Sequence, residues 1–130
     1  MSNKDKGKTI MIVDNEPDIV EFTKTILEME GYRVITAYNG YDCIEKLKVA
    51  SHIDLIILDI MMPGMSGWDV AAWIREDQRW DKTPIVFLTV LSDPMTQGIG
   101  RMAASDYIIK PFEKEDLLSS IEKILRIKTG

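Results

Sequence analysis

The sequence predicts an α/β domain: an open, five-stranded parallel sheet with five helices packed on its two faces. Three observations lead there. Short β-branched runs alternate strictly with segments of helical periodicity, and such alternation calls for right-handed crossovers between parallel strands. Several of the runs lack a polar partner face, as strands covered on both sides should. The 130 residues amount to one domain, in which roughly two-thirds of the unfolded surface can be buried.

The first strand is expected over Thr9–Val13. In the helix after it, Pro17 falls in the first turn, where its missing N–H is tolerated. Ile19, Phe22, Ile26 and Met29 repeat at three-four-three spacing, with Val20 and Leu27 widening the stripe. Gly31 stops that helix. Arg33–Tyr38 reads as the second strand, and Cys43, Ile44, Leu47 and Ala50 mark the second helix. The third strand is Leu55–Ile60, followed by a helix signalled by Val70, Trp73 and Ile74. Ile85–Val90 is the fourth strand. From Leu91 to Ser105, Pro94, Gly98 and Gly100 dilute helix propensity, so the fourth helix is expected to be short or mobile. Tyr107–Ile109 is the fifth strand, and Leu117, Leu118, Ile121, Ile124 and Leu125 mark the last helix. Residues 1–8 and 128–130 read as frayed ends around a domain spanning 9–127.

Composition excludes several classes of protein. With 45% hydrophobic and 28% charged residues, the chain is too apolar for intrinsic disorder. The single cysteine, Cys43, excludes an internal disulfide framework and a cysteine zinc site. No apolar run is long enough to cross a membrane, and Met1–Lys8 is polar and lysine-rich, unlike a secretory signal. A cytoplasmic domain is therefore expected. The net charge of −5 disfavours direct nucleic acid binding, which needs a basic face.

The chemistry is expected where the strands end. Sheets of this kind bind ligands beyond their carboxyl edge. There the sequence places Asp14-Asn15-Glu16, Asp59, Thr89 and Lys110. Singly, Asp14 could cap a helix, Thr89 could be an ordinary strand residue, and Lys110 a solvated charge. Asp59 is harder to dismiss, because it follows the buried run Leu55–Leu58, where an unpaired carboxylate is disfavoured. Two carboxylates about 4 Å apart repel by roughly 4 kcal/mol at an effective dielectric near 20. They call for a counter-charge, which a hard divalent cation such as Mg2+ would supply, with Lys110 contributing part. A carboxylate beside that cation is a credible phosphoryl acceptor. The Thr89 hydroxyl and Lys110 ammonium would then contact the phosphoryl oxygens.

Four motifs carry a family resemblance: Ile12-Val13-Asp14-Asn15-Glu16-Pro17, the stretch Leu58-Asp59-Ile60-Met61-Met62-Pro63-Gly64-Met65-Ser66-Gly67, Val86-Phe87-Leu88-Thr89, and Tyr107-Ile108-Ile109-Lys110-Pro111-Phe112. From about Lys8 to Arg126 the chain resembles the receiver domain of response regulators in two-component signalling. The resemblance implies a doubly wound, flavodoxin-like sheet of order 2-1-3-4-5. It implies that Asp59 takes a phosphoryl group from a sensor histidine kinase or a histidine phosphotransfer protein. Mg2+ would be held by Asp14, Asn15, Asp59 and the backbone carbonyl of Met61. Thr89 and Tyr107 would form the switch pair, altering the face made by the fourth helix, fifth strand and last helix; that face leaves a homodimer open. The module would be regulatory, catalysing only its own phosphoryl transfer and slow dephosphorylation. No output domain is expected after Arg126.

Some positions depart from the family pattern. Asn15 stands where a second aspartate is usual, so weaker Mg2+ binding is expected, with Glu16 compensating through its field or through water. Val90 replaces a smaller residue and narrows access to the acceptor. The Thr89–Tyr107 segment is about one residue short of the family's usual length, and Ala103 replaces a common glycine. Met61 and Leu91, two residues after Asp59 and Thr89, are apolar and cannot orient a hydrolytic water. Two other readings compete: a receiver-like interaction module that takes no phosphate, and a flavin carrier, against which the acidic Asp14–Glu16 loop argues by repelling a phosphate. His52 reads as a surface residue and Cys43 as core. Met61, Met62 and Met65 read as loop packing or an adaptable contact surface, Trp68 and Trp73 as core or rim packing, and Trp80 as partly exposed, with an interface role open.

Overall fold

A computed structural model describes residues 7–90 and 105–129. In chain order the elements are β1 (Thr9–Val13), α1 (Pro17–Met29), β2 (Arg33–Ala37), α2 (Gly40–Val49), β3 (Leu55–Asp59), α3 (Gly67–Glu76), β4 (Ile85–Val90), β5 (Asp106–Lys110) and α4 (Lys114–Thr129). The sheet runs β2-β1-β3-β4-β5, and all four pairings are parallel. This is the doubly wound order expected from the motifs.

The helix count is corrected. Among the described residues there are four helices, not five. The expected fourth helix, between β4 and β5, rested on strict alternation, in a segment that Pro94, Gly98 and Gly100 make a poor helix former. Residues 91–104 of that segment lie outside the described residues.

The apolar strands alternate between two buried faces. Met11, Val13, Ile56, Leu58, Ile85 and Phe87 face a core shared with Cys43 and Leu47 of α2 and Val70 and Ile74 of α3. Ile10, Ile12, Leu55, Ile57, Val86 and Leu88 face a second core with Val20 and Leu27 of α1 and Leu117 and Ile121 of α4. Strand residues point alternately to opposite faces, so a strand covered on both sides must be apolar throughout.

Local signals set the helix boundaries. Asn39 caps α2 by accepting from the Asp42 N–H at 2.8 Å. Ser66 and Asp69 close a reciprocal capping box on α3. Gly31, just past α1, adopts φ +95°, a conformation that glycine takes without strain.

Two packing expectations are also corrected. The buried stripe of α1 is Val20, Thr23, Ile26 and Leu27, whereas Phe22 is 47% and Met29 77% exposed. The stripe is rotated toward polar Thr23, and Phe22 instead approaches Phe112, ring centroids 5.9 Å apart. Trp80 is buried, not partly exposed; it packs into the α2–α3 core beneath the Arg79 guanidinium, 4.8 Å from its ring. Among the described residues, no helix is long and apolar enough to cross a membrane.

Candidate functional site

The carboxyl edge of the sheet assembles the acidic residues. Val13 pairs with Leu58 across β1 and β3, so the next residue on each strand, Asp14 and Asp59, emerges beside the other. Both are buried. Asp14 is fixed by its backbone N–H, which donates to the Ala37 carbonyl at 3.1 Å. Its Oδ1 accepts from the Glu16 N–H at 2.9 Å, a local turn that shapes the loop. Asp59 ends β3, and the Met61 backbone N–H donates to its carboxylate.

Lys110 ends β5 and reaches back across β4 to this pair. Its Nζ lies 2.8 Å from Asp14 Oδ2, 3.1 Å from Glu16 Oε1 and 3.3 Å from Asp59 Oδ1. One ammonium therefore serves three carboxylates. Burial pushes the Asp59 carboxyl up to about 6, and the charge of Asp14 adds to this, against the opposing pull of Lys110. Burial also works against the Lys110 ammonium, but its contacts with Asp14, Asp59 and Glu16 outweigh burial and raise its pKa. The pocket is under-neutralised.

The donor set suits a hard cation. Asp14 Oδ2 is buried and accepts no aligned hydrogen bond. Asn15, Glu16, Asp59, Met61, Val90 and Lys110 line an open cleft of about 280 Å³ at this edge. Among the described residues no group of three or more His, Cys, Asp or Glu is arranged to hold a metal. A cation here would rest on two carboxylates, amide and carbonyl oxygens and water, a set that Mg2+ accepts.

The expected switch residues lie on β4 and β5. Thr89 is buried, and its hydroxyl donates to the Val90 carbonyl at 3.1 Å. Tyr107, on the strand that carries Lys110, is half-buried and stacks on Phe87 at 6.0 Å between centroids. Phe87 in turn meets Trp68 at 4.9 Å. Of the two residues expected to bear on phosphate lifetime, Met61 is exposed and Leu91 lies outside the described residues. His52 is exposed but pairs with buried Asp54 at 2.8 Å.

Sequence reasoning misses two contributors. It has Glu16 acting through its field or through water; here Glu16 binds Lys110 directly, a contact across 94 positions of sequence. It assigns nothing to Gly67, where a Cβ would lie 2.3 Å from the Asp59 carbonyl oxygen. The close approach of α3 to the end of β3 therefore requires glycine. The run Pro63-Gly64-Met65-Ser66-Gly67 is the available signal.

An open α/β sheet of order 2-1-3-4-5 with a lysine-bridged acid pair at its carboxyl edge defines the chain as a doubly wound, flavodoxin-like domain. A family model described as "Response regulator receiver domain" matches residues 10–122, and the chain belongs to that family. Response regulator ArlR of Staphylococcus aureus is 40% identical over 118 residues, covering 90% of this chain and 52% of the relative. The chain thus spans about half the length of the curated relatives it matches. Among solved structures, chemotaxis protein CheY4 of Vibrio cholerae superposes with a TM-score of 0.84 at 30% identity, covering 90% of this chain and 98% of that one. Response regulator protein TrrA of Thermotoga maritima, in complex with Mg2+–BeF, gives 0.78 at 36% identity, with the same coverages of 90% and 98%.

Proposed function

We propose that this domain is a phosphorylation-dependent signalling switch that accepts a phosphoryl group on Asp59 from a phosphohistidine, with Mg2+ as cofactor. The observation that carries this reading is the Lys110 ammonium within 3.3 Å of both Asp14 and Asp59. A buried acid pair held by one cation is poised to receive a charged group. The donor is a sensor histidine kinase or a histidine phosphotransfer protein. That the Mg2+–BeF complex is a complex of a relative supports both the cofactor and the acceptor role.

Asp59 is the nucleophile. Held near pKa 6, it is largely ionised at neutral pH. Its carboxylate oxygen forms the new bond to phosphorus as the bond to the donor nitrogen breaks, and the imidazole leaves. Lys110 sits beside Asp59 Oδ1 and offers its ammonium to the incoming phosphoryl oxygens. Asp14, Asp59, Asn15 and the Met61 carbonyl would hold Mg2+, and the ion would supply charge neutralisation for the phosphoryl oxygens. Thr89 would turn its hydroxyl from the Val90 carbonyl toward the phosphoryl group. Tyr107 would follow, altering the surface of β5 and α4, and this is the face open to a homodimer. Apolar Met61, two residues after the acceptor, cannot orient a hydrolytic water, so the acyl phosphate would decay slowly.

Asn15 in place of a second acid keeps one alternative: an interaction module that takes no phosphate. Incubation with acetyl phosphate and Mg2+ separates the two. Wild type should gain a mass of about 80 Da, and Asp59→Ala should not. An unchanged wild-type mass under conditions that phosphorylate a control receiver would establish the alternative.

A further inference from the structure

Lys110 divides one ammonium among three carboxylates, and the outermost of them, Glu16, is the most exposed. Nζ donates to Glu16 Oε1 at 3.1 Å. The closest approach is to buried Asp14 Oδ2, at 2.8 Å. The Glu16 side chain is 60% exposed, so its carboxylate has room to move. Its backbone does not: the Glu16 N–H is tied to Asp14 Oδ1. Between them, Asn15 carries no charge.

We infer that Glu16 is a positioning residue for Lys110: it takes up the ammonium when Asp14 Oδ2 is surrendered to a divalent cation. The inference rests on the Mg2+-dependent reading above. An ammonium and a dication repel, and they cannot both occupy close contact with one carboxylate oxygen. Lys110 must withdraw from Asp14 Oδ2 before that oxygen can serve as a ligand. Its side chain is only 14% exposed, so withdrawal into water would require the chain to leave its packing. Glu16 offers a nearer destination, through a hydrogen bond already formed. It keeps Lys110 beside Asp59 and neutralises the charge that would otherwise oppose the cation. Its carboxylate thereby stands in for the acid missing at Asn15 by acting on the lysine.

Calorimetric Mg2+ titration of the full chain, with no phosphodonor, tests this. Glu16→Gln should weaken Mg2+ binding about three- to fivefold, the upper range for an ion pair with one partner in solvent. Glu16→Asp should recover part of the loss. In a Lys110→Met background, Glu16→Gln should change affinity less than about 1.5-fold, because the pair it acts through is gone. An equal effect in both backgrounds would mean that Glu16 acts on the cation itself, and would overturn the inference. No effect in the wild-type background would overturn it too. Should Lys110→Met fail to fold, NMR of 15Nζ-labelled lysine decides. The Lys110 ammonium signal should stay protected on Mg2+ addition in wild type and be lost in Glu16→Gln; identical behaviour refutes the role. A wild type that binds no Mg2+ defeats the proposed function along with this inference, whereas a wild type that binds and shows an additive cycle defeats this inference alone.

Discussion

Asp59→Asn should stabilise the protein at neutral pH, in the absence of Mg2+, and the gain should vanish in acid. Burial and Asp14 raise the Asp59 carboxyl from an ordinary 3.8 to about 6. A raised carboxyl means that the fold disfavours the charged form. The penalty is fully present above the folded value and disappears as pH falls from about 6 towards 3.8. At about 1.4 kcal/mol per pH unit, the difference corresponds to roughly 3 kcal/mol at pH 7.5, about half that at pH 5, and little at pH 4. The asparagine amide keeps the shape and removes the charge. Urea unfolding in EDTA, at pH 7.5, 5 and 4, gives the measurement. The Asp59→Asn variant should unfold at a higher midpoint than wild type at pH 7.5, with a margin that shrinks at each lower pH. A variant less stable than wild type at pH 7.5, or a margin that does not change with pH, would refute the electrostatic account of the pocket.

Three further outcomes are expected. Asn15→Asp restores a second acid beside Asp14 and should tighten Mg2+ several-fold by calorimetry; an unchanged affinity would remove the explanation given for Asn15. Gly67→Ala places a methyl 2.3 Å from the Asp59 carbonyl oxygen, and should lower stability by about 1–3 kcal/mol in urea and slow phosphorylation from acetyl phosphate; a neutral effect on both would show that α3 can shift freely. Purified phospho-Asp59 protein should keep its label for minutes or longer when followed by mass spectrometry, and decay within seconds would rule out the role assigned to apolar Met61.

The strands are legible because their burial on both faces leaves a continuous apolar run in the sequence. Thr9–Val13 and Ile85–Val90 match the expected bounds, the second and third strands end one residue earlier, and the fifth extends one residue further at each end. The acid pair is legible for the complementary reason: Asp14 and Asp59 interrupt apolar runs where strands stop. Hydropathy misplaces what depends on side-chain direction. Phe22 and Met29 are apolar, yet the α1 stripe turns past them to Thr23, a residue that no hydrophobic pattern selects. Trp80 lies among polar neighbours in sequence but enters the core from a short turn. The Glu16–Lys110 contact links the first and last strands' loops, and pairing of that kind is visible only once the sheet brings β1 and β5 to one rim.

The same charge arithmetic indicates where a response would travel. On the proposed reading, phosphorylation gives Asp59 an additional negative charge, raising the demand on Lys110 and on the Thr89 hydroxyl. Those two groups belong to the last two strands. Lys110 pairs with Val90 and Tyr107 with Phe87 in one ladder, so a pull on Lys110 acts on the strand that also carries Tyr107. β5 is an edge strand, held by one neighbour, whereas β3, which carries Asp59, is paired on both sides and buried along its length. A force arising at the centre of the sheet is therefore resisted at its origin and yields at the edge. On that reading the readout would fall on the surface of β5 and α4, away from the acceptor.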